Sequence, residues 1–206
     1  MVVTGRPREF DRDEALDAAM RLFWRKGFQS ASMTDLCDAM HIRSPSLYAA
    51  YGSKEALYLE AIHRYAATYG AELWDRVGNA ESARAGVEAM LMAATKMLPG
   101  SSDGPPGCMA MLAALSDDWP QAITDAAKQM RDASLERLRS RLMTGVEDGE
   151  LPIDTDIDGT ARLFFGIFQG MAAQAKDGAS SQQLRKVAEG AMAAWPAGDQ
   201  GRGTRI

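Results

Sequence analysis

The stretch from Ser32 to Glu55 constrains the fold of this chain more than any other feature of the sequence. Its 24 residues, SMTDLCDAMHIRSPSLYAAYGSKE, contain three helix starts. Ser32, Ser44 and Ser53 each precede residues that favour a first helical turn. Two very short helices joined by a tight turn can present the second helix to the major groove of DNA. The segment therefore predicts a DNA-binding head.

The rest of the chain also favours helices. β-branched residues are sparse, alternating apolar and polar runs are absent, and Ala, Leu, Met, Glu and Arg dominate. The predicted helices span about 12–26, 32–40, 44–51, 54–74, 82–98, 107–117, 119–148, 156–177 and 180–195. The sequence thus predicts an all-α fold of about nine helices, with a three-helix helix-turn-helix head at the N-terminus and a helical body behind it.

The net charge of −5 is compatible with a DNA-binding protein, because the charge is unevenly distributed. Nine basic and nine acidic side chains balance each other up to Arg64, so all the excess negative charge follows that residue. A neutral head with basic residues at its tip can approach phosphate while an acidic body stays away from it. No apolar run approaches the roughly 20 residues that cross a bilayer, and the N-terminus lacks a signal-peptide core. We expect a soluble, cytoplasmic protein without membrane partners.

No cofactor, metal site or enzymatic activity is predicted. The two cysteines and two histidines lack zinc-ligand spacing, and the chain contains no nucleophile elbow, P-loop or dinucleotide fingerprint. A helical adaptor that binds only protein is disfavoured as well, since it would not need the pattern between Ser32 and Glu55. Cys108 leaves two alternatives open: a buried, inert thiol, or an oxidant or metal sensor at the helix start that follows the preceding Gly-Pro-rich break.

Within the head, the turn and the third helix can be assigned to inner and outer faces. One residue near His41 must adopt a left-handed backbone, Ile42 then points inward, and Leu47 anchors the third helix. Hydroxyl and ammonium groups near helix N-termini can bind DNA phosphates. Small residues on the outer face of the third helix let that helix come close to the edges of the bases. The predicted DNA-binding residues are Thr34, Arg43, Ser44, Pro45, Ser46, Tyr48, Ala49, Tyr51 and Lys54.

At these residues the chain resembles the TetR/AcrR family of transcriptional regulators. The resemblance covers Asp11 to about Tyr65, through EALDAAMRLFWRKGF and SMTDLCDAMHIRSPSLYAAYGSKEALY. His41 stands where the family usually has glycine, and Ala49-Ala50 replaces a common bulky or His-containing pair, which affects the bases that are read rather than the docking mode. The resemblance implies a homodimeric repressor that binds palindromic operator DNA and releases it when a small molecule binds the body.

The resemblance also implies how the chain is divided. The expected units are an N-terminal arm and helix-turn-helix domain (1–53), a linking helix (54–74), a ligand-binding and dimerisation domain (75–196) and a flexible tail (197–206). A regulator that activates transcription, or that has no small-molecule inducer, is the alternative.

The resemblance places a pocket among the middle helices and a dimer interface on the last two. Flexible methionine side chains suit a pocket for a small apolar or amphipathic effector, although any single methionine is more often a core residue. The predicted pocket residues are Met90, Met97, Met109, Trp119, Met130, Phe164, Phe168 and Gln169. The predicted dimer-interface residues are Phe165, Met171, Ala172, Ala175, Leu184, Val187 and Ala191. Packing of these apolar faces within one chain is the alternative.

Overall fold

A computed structural model describes residues 10–101, 104–112 and 119–196 of the chain. These residues form α-helices and no β-strand, which confirms the all-α prediction. The helices are α1 (Arg12–Ser30), α2 (Met33–Met40), α3 (Ser44–Tyr51), α4 (Lys54–Tyr65), α5 (Ala71–Gly78), α6 (Ala83–Met97), α7 (Met109–Leu112), α8 (Gln121–Glu147), α9 (Ile157–Lys176) and α10 (Ser181–Met192), with a π-helical turn (Ala66–Gly70) between α4 and α5. The predicted N-terminal arm up to residue 9, the predicted tail and residues 113–117 of the predicted helix near 107–117 lie outside the described part.

The helix starts of the head follow from the caps that the sequence supplies. Ser32 and Asp35 form a reciprocal capping box at α2, and the Ser53 hydroxyl accepts the Ala56 amide at α4. His41 ends α2 in the left-handed region, at φ 53° and ψ 37°. It is the one non-glycine residue with positive φ among those described, so the predicted sharp turn is confirmed.

The inner face of the head is apolar, as predicted. Leu36 and Leu47 are fully buried, and Ile42 is 9% exposed in the turn between their helices. Since Leu47 lies in the middle of α3, its burial fixes which side of that helix faces outward.

α4 attaches the head to the body. It packs along α1, where Arg12 pairs with Glu60 at 2.6 Å and Arg64 pairs with Asp17 at 2.9 Å. The π turn and α5 prolong α4 as far as Gly78, so the connection extends beyond the predicted end near residue 74. A π turn inserts one extra residue into the helix and frequently lies at a functional site.

The body consists of α6, α8, α9 and α10 around a shared apolar core. Val87, Leu138 and Phe164 are fully buried in it. The start of α6 is held by a distant side chain, because the Glu150 carboxylate accepts the backbone N–H groups of Ala83 and Arg84 at 2.6 and 2.8 Å. None of the described helices is both long enough and apolar enough to cross a membrane.

Most residues of the predicted dimer interface lie in the core of the single chain. Phe165, Met171, Ala172, Ala175, Leu184 and Ala191 are buried within the single chain, and Val187 is half-buried against its core. The reason is that α9 turns its most apolar face towards α8, α6 and α10 of its own chain. The alternative, packing of these faces within one chain, is the observed arrangement.

Candidate DNA interface and ligand cavity

The outward face of α3 carries most of the predicted DNA-binding residues. Arg43, Ser44, Pro45, Tyr48 and Ala49 are exposed, and Tyr48 is exposed to 49% despite its large ring. The helix has no side-chain cap at its N-terminus, so the backbone N–H groups of Ser44 and Ser46 have no side-chain acceptor there, and Pro45 has no N–H to satisfy. These features give α3 a surface that can donate hydrogen bonds to phosphate or to base edges.

One member of this predicted set faces the opposite way. Tyr51 is only 4% exposed, and its hydroxyl donates to the Arg12 carbonyl at 2.9 Å. The Arg12 guanidinium lies 4.6 Å from the centroid of the same ring. Tyr51 follows Leu47 by four residues and therefore shares its buried side. The prediction of an outward-facing Tyr51 is wrong.

The predicted phosphate-binding residues differ in their exposure and in the contacts that their side chains already make. Thr34 is exposed in the first turn of α2, and Ser46 is half-buried on α3. Lys54 folds back on the head, with its ammonium 3.4 Å from the Gln29 carbonyl and 4.5 Å from the Phe28 ring centroid. Burial lowers the pKa of Lys54. To reach a phosphate, this ammonium has to leave an existing contact.

The carboxylate of Asp35, in the first turn of α2, is paired within the protein. Lys26 donates to the Asp35 carboxylate at 2.8 Å, and Ser32 donates to it through its backbone and its hydroxyl. These hydrogen bonds, with that of Lys26 the strongest, hold the pKa of Asp35 well below its ordinary value. The cap of α2 therefore does not leave an unpaired negative charge near the exposed face of α3.

A cavity of about 140 Å³ lies between the end of α4, the π turn, α5, α7 and the middle of α8. Its walls are mainly apolar, with rings from Tyr65, Tyr69, Trp74 and Phe168 and the thioethers of Met97, Met111 and Met130. Cys108, Ala110 and Ser134 complete the deeper part, and Arg137 lies at the rim. A concave apolar site with few polar groups is the usual form of a small-molecule pocket.

The polar groups inside the cavity are already paired. The Tyr65 hydroxyl donates to the Cys108 sulfur at 3.2 Å, and the Ser134 hydroxyl donates to the Met130 carbonyl at 2.8 Å. Burial raises the pKa of both Cys108 and Tyr65, so the thiol and the phenol are uncharged at neutral pH. Cys108 directly precedes α7, as the sensor alternative expected, but its pKa shifts away from the reactive thiolate.

The cavity wall touches the head directly. Trp24 of α1 donates its indole N–H to the Gly107 carbonyl at 3.2 Å, one residue before Cys108. Its ring meets those of Tyr65 and Tyr69 edge to face, with centroids 4.9 and 5.1 Å apart. Two of the rings that enclose the cavity are thus packed on the first helix of the head.

Two family models cover most of the chain. The model described as bacterial regulatory proteins of the tetR family matches residues 15–61, and that of the tetracyclin repressor-like C-terminal domain matches residues 84–195. The chain belongs to the TetR family of transcriptional regulators. It is accordingly a DNA-binding regulator and not an enzyme.

Curated relatives of this TetR-family chain support the assignment over nearly its full length. It is 34% identical to the HTH-type transcriptional repressor ComR of Escherichia coli (strain K12), over 93% of this chain and 92% of ComR. It is 31% identical to the HTH-type transcriptional repressor BdcR of the same organism, over 88% of this chain and 87% of BdcR.

A solved structure agrees with these relatives. A cysteine mutant of the TetR family transcriptional regulator CifR, complexed with 26-bp double-strand operator DNA, is 41% identical to this chain. The two structures superpose with a TM-score of 0.89, over 93% of this chain and all of that one.

The TetR-family cavity only partly matches the predicted pocket. Met97, Met130 and Phe168 line it. Met90 and Phe164 are fully buried in the core, where Phe164 packs on Trp195 with ring centroids 5.6 Å apart. Neither residue lines the cavity.

The other predicted pocket residues lie elsewhere. Gln169 is half-buried on α9 and does not line the cavity, whereas Met109 and Trp119 line a separate hollow next to Phe23 and Lys176. The other residues of that hollow include Phe23 of α1 and Tyr58 of α4, which are far from Met109 and Trp119 in the sequence, so no local spacing predicts that they share a site.

The most informative cavity residues are ones that sequence reasoning missed. Tyr65, Tyr69 and Trp74 come from the end of the linking helix and from α5, which had been assigned only a connecting role. The spacing of Tyr65 and Tyr69 was a usable signal, since residues four apart share one side of a helix. Arg137 gave no such signal among the many charges of α8.

Proposed function

We propose that this protein is a ligand-responsive repressor that binds palindromic operator DNA as a homodimer and releases it when a small molecule enters the cavity. In this proposal residues up to 53 bind DNA, 54–74 link the head to the body and supply part of the cavity wall, and 75–196 complete the cavity and dimerise. The observation that supports this proposal most directly is that Trp24 of the head packs on Tyr65 and Tyr69 of the cavity wall. Since its target is bacterial DNA, we place the protein in the cytoplasm.

For operator binding, we propose that α3 lies in the major groove. Arg43, Ser44 and Ala49 would face the base edges, and Thr34, Tyr48 and Lys54 would contact phosphates on either side. Support comes from the exposure of these residues and from the operator complex of CifR, a relative of the same fold. Pro45 and Ser46 belong to the same first turn of α3 and would set how closely it approaches.

For dimerisation, we propose the outward face of α9 together with α10. The side of α9 that faces away from the core carries small and apolar residues at helical spacing, and Leu163 among them is 46% exposed. The others are Gly166, Ile167, Gly170 and Ala173. Small residues on this face allow close helix approach, and a two-fold axis brings the same face of a second copy against it. A dimer would present two α3 helices to two half-sites of a near-palindrome.

For release, we propose that ligand binding changes the position of the head through the shared aromatic contacts. A molecule that fills the cavity pushes on Tyr65 and Tyr69, and both rings rest on Trp24. The π turn forms part of the same wall, where the helical register can shift. The ligand lowers operator affinity to the extent that it binds the displaced arrangement more tightly.

The DNA part of the proposal is tested by the salt dependence of binding. Each lost phosphate contact lowers the slope of log K against log salt concentration by about 0.9. Lys54→Ala should therefore weaken binding to every duplex and lower the slope by about 1.8, because a dimer carries two copies of Lys54. The control is Lys128→Ala on α8, where the exposed lysine pairs with Asp132 of the body. An unchanged slope for Lys54→Ala would remove this residue from the interface.

The dimer part is tested by sedimentation of two isoleucine variants. Ile167→Glu places a charge on the proposed face of α9, whereas Ile153→Glu alters a loop residue that is 90% exposed. We expect the first to be monomeric and the second dimeric at micromolar concentration, with the same helical content. A dimeric Ile167→Glu, or a monomeric wild-type protein, would contradict the proposed interface.

The alternative is a regulator that activates transcription or lacks an inducer. The repressors ComR and BdcR favour repression, and the wall shared between the cavity and the head favours an inducer. A reporter gene placed behind the operator distinguishes repression from activation. Expression should rise when the gene for this protein is deleted, and a fall would indicate activation.

A further inference from the structure

We propose that the effector is a single-ring aromatic carboxylate, with its ring enclosed in the cavity and its carboxylate bound by Arg137. This inference rests on the proposed function, because it names the class of molecule that the same cavity would sense. It depends on three properties of the cavity: its size, the chemistry of its wall and the single charge at its rim.

The size of the cavity admits one ring. Its volume is about 140 Å³. An engineered apolar cavity of about 150 Å³ in another protein holds benzene. A fused second ring has no space unless the wall moves, and the wall includes Leu73 and Phe168, which are 4% and 2% exposed. The structure therefore sets an upper limit of about one ring for the enclosed part of the ligand.

The chemistry of the wall favours an aromatic and uncharged ring. The rings of Tyr65, Tyr69 and Trp74 surround the space, and Met97 and Met111 add polarisable sulfur atoms that contact aromatic edges well. The Tyr65 hydroxyl is already directed at Cys108, so the deep part offers no free partner for a buried charge. Burial of an unpaired charge there is strongly unfavourable.

The rim supplies one cation. Arg137 is exposed, and its guanidinium lies 5.8 Å from the Trp74 ring centroid. Among the described residues it forms no ion pair, in contrast to its neighbour Arg139, which pairs with Glu136 at 3.2 Å and also with Asp158. A planar guanidinium held on an aromatic face is suited to a carboxylate, which it can bind through two parallel hydrogen bonds.

The position of this cation also defines the orientation of the ligand. Trp74 and Arg137 line both the cavity and an adjoining open groove between α5 and α8. A ligand that enters from that groove ring first leaves its polar end beside Arg137. The carboxylate then stays near water and does not need to be fully desolvated.

The first experiment compares four probes by calorimetry with the full chain: benzoate, benzyl alcohol, 2-naphthoate and acetate. We expect benzoate to bind, benzyl alcohol and 2-naphthoate to bind at least tenfold more weakly, and acetate to give no heat of binding. Equal affinity of wild-type protein for benzoate and 2-naphthoate would overturn the size limit. Absence of benzoate binding would overturn the proposal as a whole.

Two pairs of variants locate the bound molecule. Arg137→Gln should lower benzoate affinity to that of benzyl alcohol and leave benzyl alcohol unchanged, whereas Arg76→Gln, in a neighbouring groove, should change neither. Met97→Ala should raise 2-naphthoate affinity at least tenfold, because Met97 separates the cavity from that groove. Met92→Ala is the matched control, since Met92 lines only the groove. Benzoate binding that Arg137→Gln leaves unchanged would overturn the assigned role of this cation.

Operator release is measured separately, so that the two proposals can fail independently. Benzoate that binds in the cavity and also weakens operator binding supports both. Benzoate that binds as described and leaves the operator complex intact supports the ligand class but contradicts the ligand response in the proposed function.

Discussion

Two tyrosines of α3 provide a direct test of which side of this helix faces DNA. Tyr48 is 49% exposed, whereas Tyr51, three residues later, is 4% exposed and donates its hydroxyl to the Arg12 carbonyl at 2.9 Å. The same chemical change, removal of one hydroxyl by Tyr→Phe, should therefore have opposite consequences at the two positions. Tyr51→Phe should affect stability, and Tyr48→Phe should affect DNA binding.

The expected loss of stability in Tyr51→Phe follows from the interactions that it removes and retains. The substitution removes one partly buried hydrogen bond, a loss of about 1 kcal/mol in the free energy of unfolding. The ring remains, and with it the packing and the contact with the Arg12 guanidinium at 4.6 Å. With a urea dependence of about 2 kcal/mol per molar, the unfolding midpoint should fall by about 0.5 M. Tyr48→Phe should remain within about 0.5 kcal/mol of the wild type.

DNA affinity should show the reverse pattern. If the Tyr48 hydroxyl donates to a phosphate, its loss should weaken binding to any duplex by about tenfold per protomer, since hydrogen bonds to charged groups contribute about 1.5 kcal/mol or more. A dimer carries two copies of Tyr48, so its affinity should fall by about a hundredfold. Urea unfolding, followed by circular dichroism at one fixed protein concentration, gives the stability of each variant. Fluorescence anisotropy of a labelled duplex gives its affinity.

One outcome would refute the assignment of the two faces. If Tyr51→Phe unfolded at the same urea concentration as the wild type and bound DNA about a hundredfold more weakly, Tyr51 would face DNA and its contact with Arg12 would be incidental. If both variants matched the wild type in both assays, Tyr48 would not contact phosphate.

Three further predictions concern stability. Trp24→Phe should lower the free energy of unfolding by about 1–3 kcal/mol, because the buried loop carbonyl that accepts the Trp24 indole N–H loses its donor. A variant with the same thermal unfolding midpoint as the wild type would contradict this. Asp35 has a lowered pKa in the fold, so its stabilising effect is present above pH of about 4 and is lost below it. Asp35→Asn should accordingly flatten the decrease of stability in urea titrations towards acid pH. Gly145→Ala should cost about 1–3 kcal/mol, because the added methyl group would lie 2.7 Å from Ala83 Cβ. Gly78→Ala, with open space around it, is the matched control and should unfold like the wild type.

The helix-turn-helix head could be predicted because its signals are local. Capping at Ser32 and Ser53 and the left-handed turn at His41 each depend on a few adjacent residues, and the structure has all three as expected. Tyr51 was misassigned although its signal was present, since a residue four positions after a buried anchor lies on the same side of a helix.

The apolar stripe of α9 was assigned to contacts with a second copy of the chain, whereas the structure buries its residues within the single chain. Phe165, Met171 and Ala175 follow helical spacing, and the structure buries all three. Spacing shows that a face needs a partner, but it does not show whether that partner lies in the same chain or in a second copy. The choice depends on how α8, α6 and α10 are arranged around α9, which is a property of the assembled fold.

The sequence by itself determined that this chain is helical, where its DNA-binding head lies and which family it resembles, because caps, turns and helical periodicity act over a few residues. Only the tertiary structure decided which residues form the cavity. Tyr65 and Cys108 are 43 positions apart in the chain, yet the hydroxyl of one donates to the sulfur of the other at 3.2 Å. Trp24 reaches Gly107 across 83 positions. Such contacts depend on the packing of whole helices against one another, and no local pattern of residues encodes them.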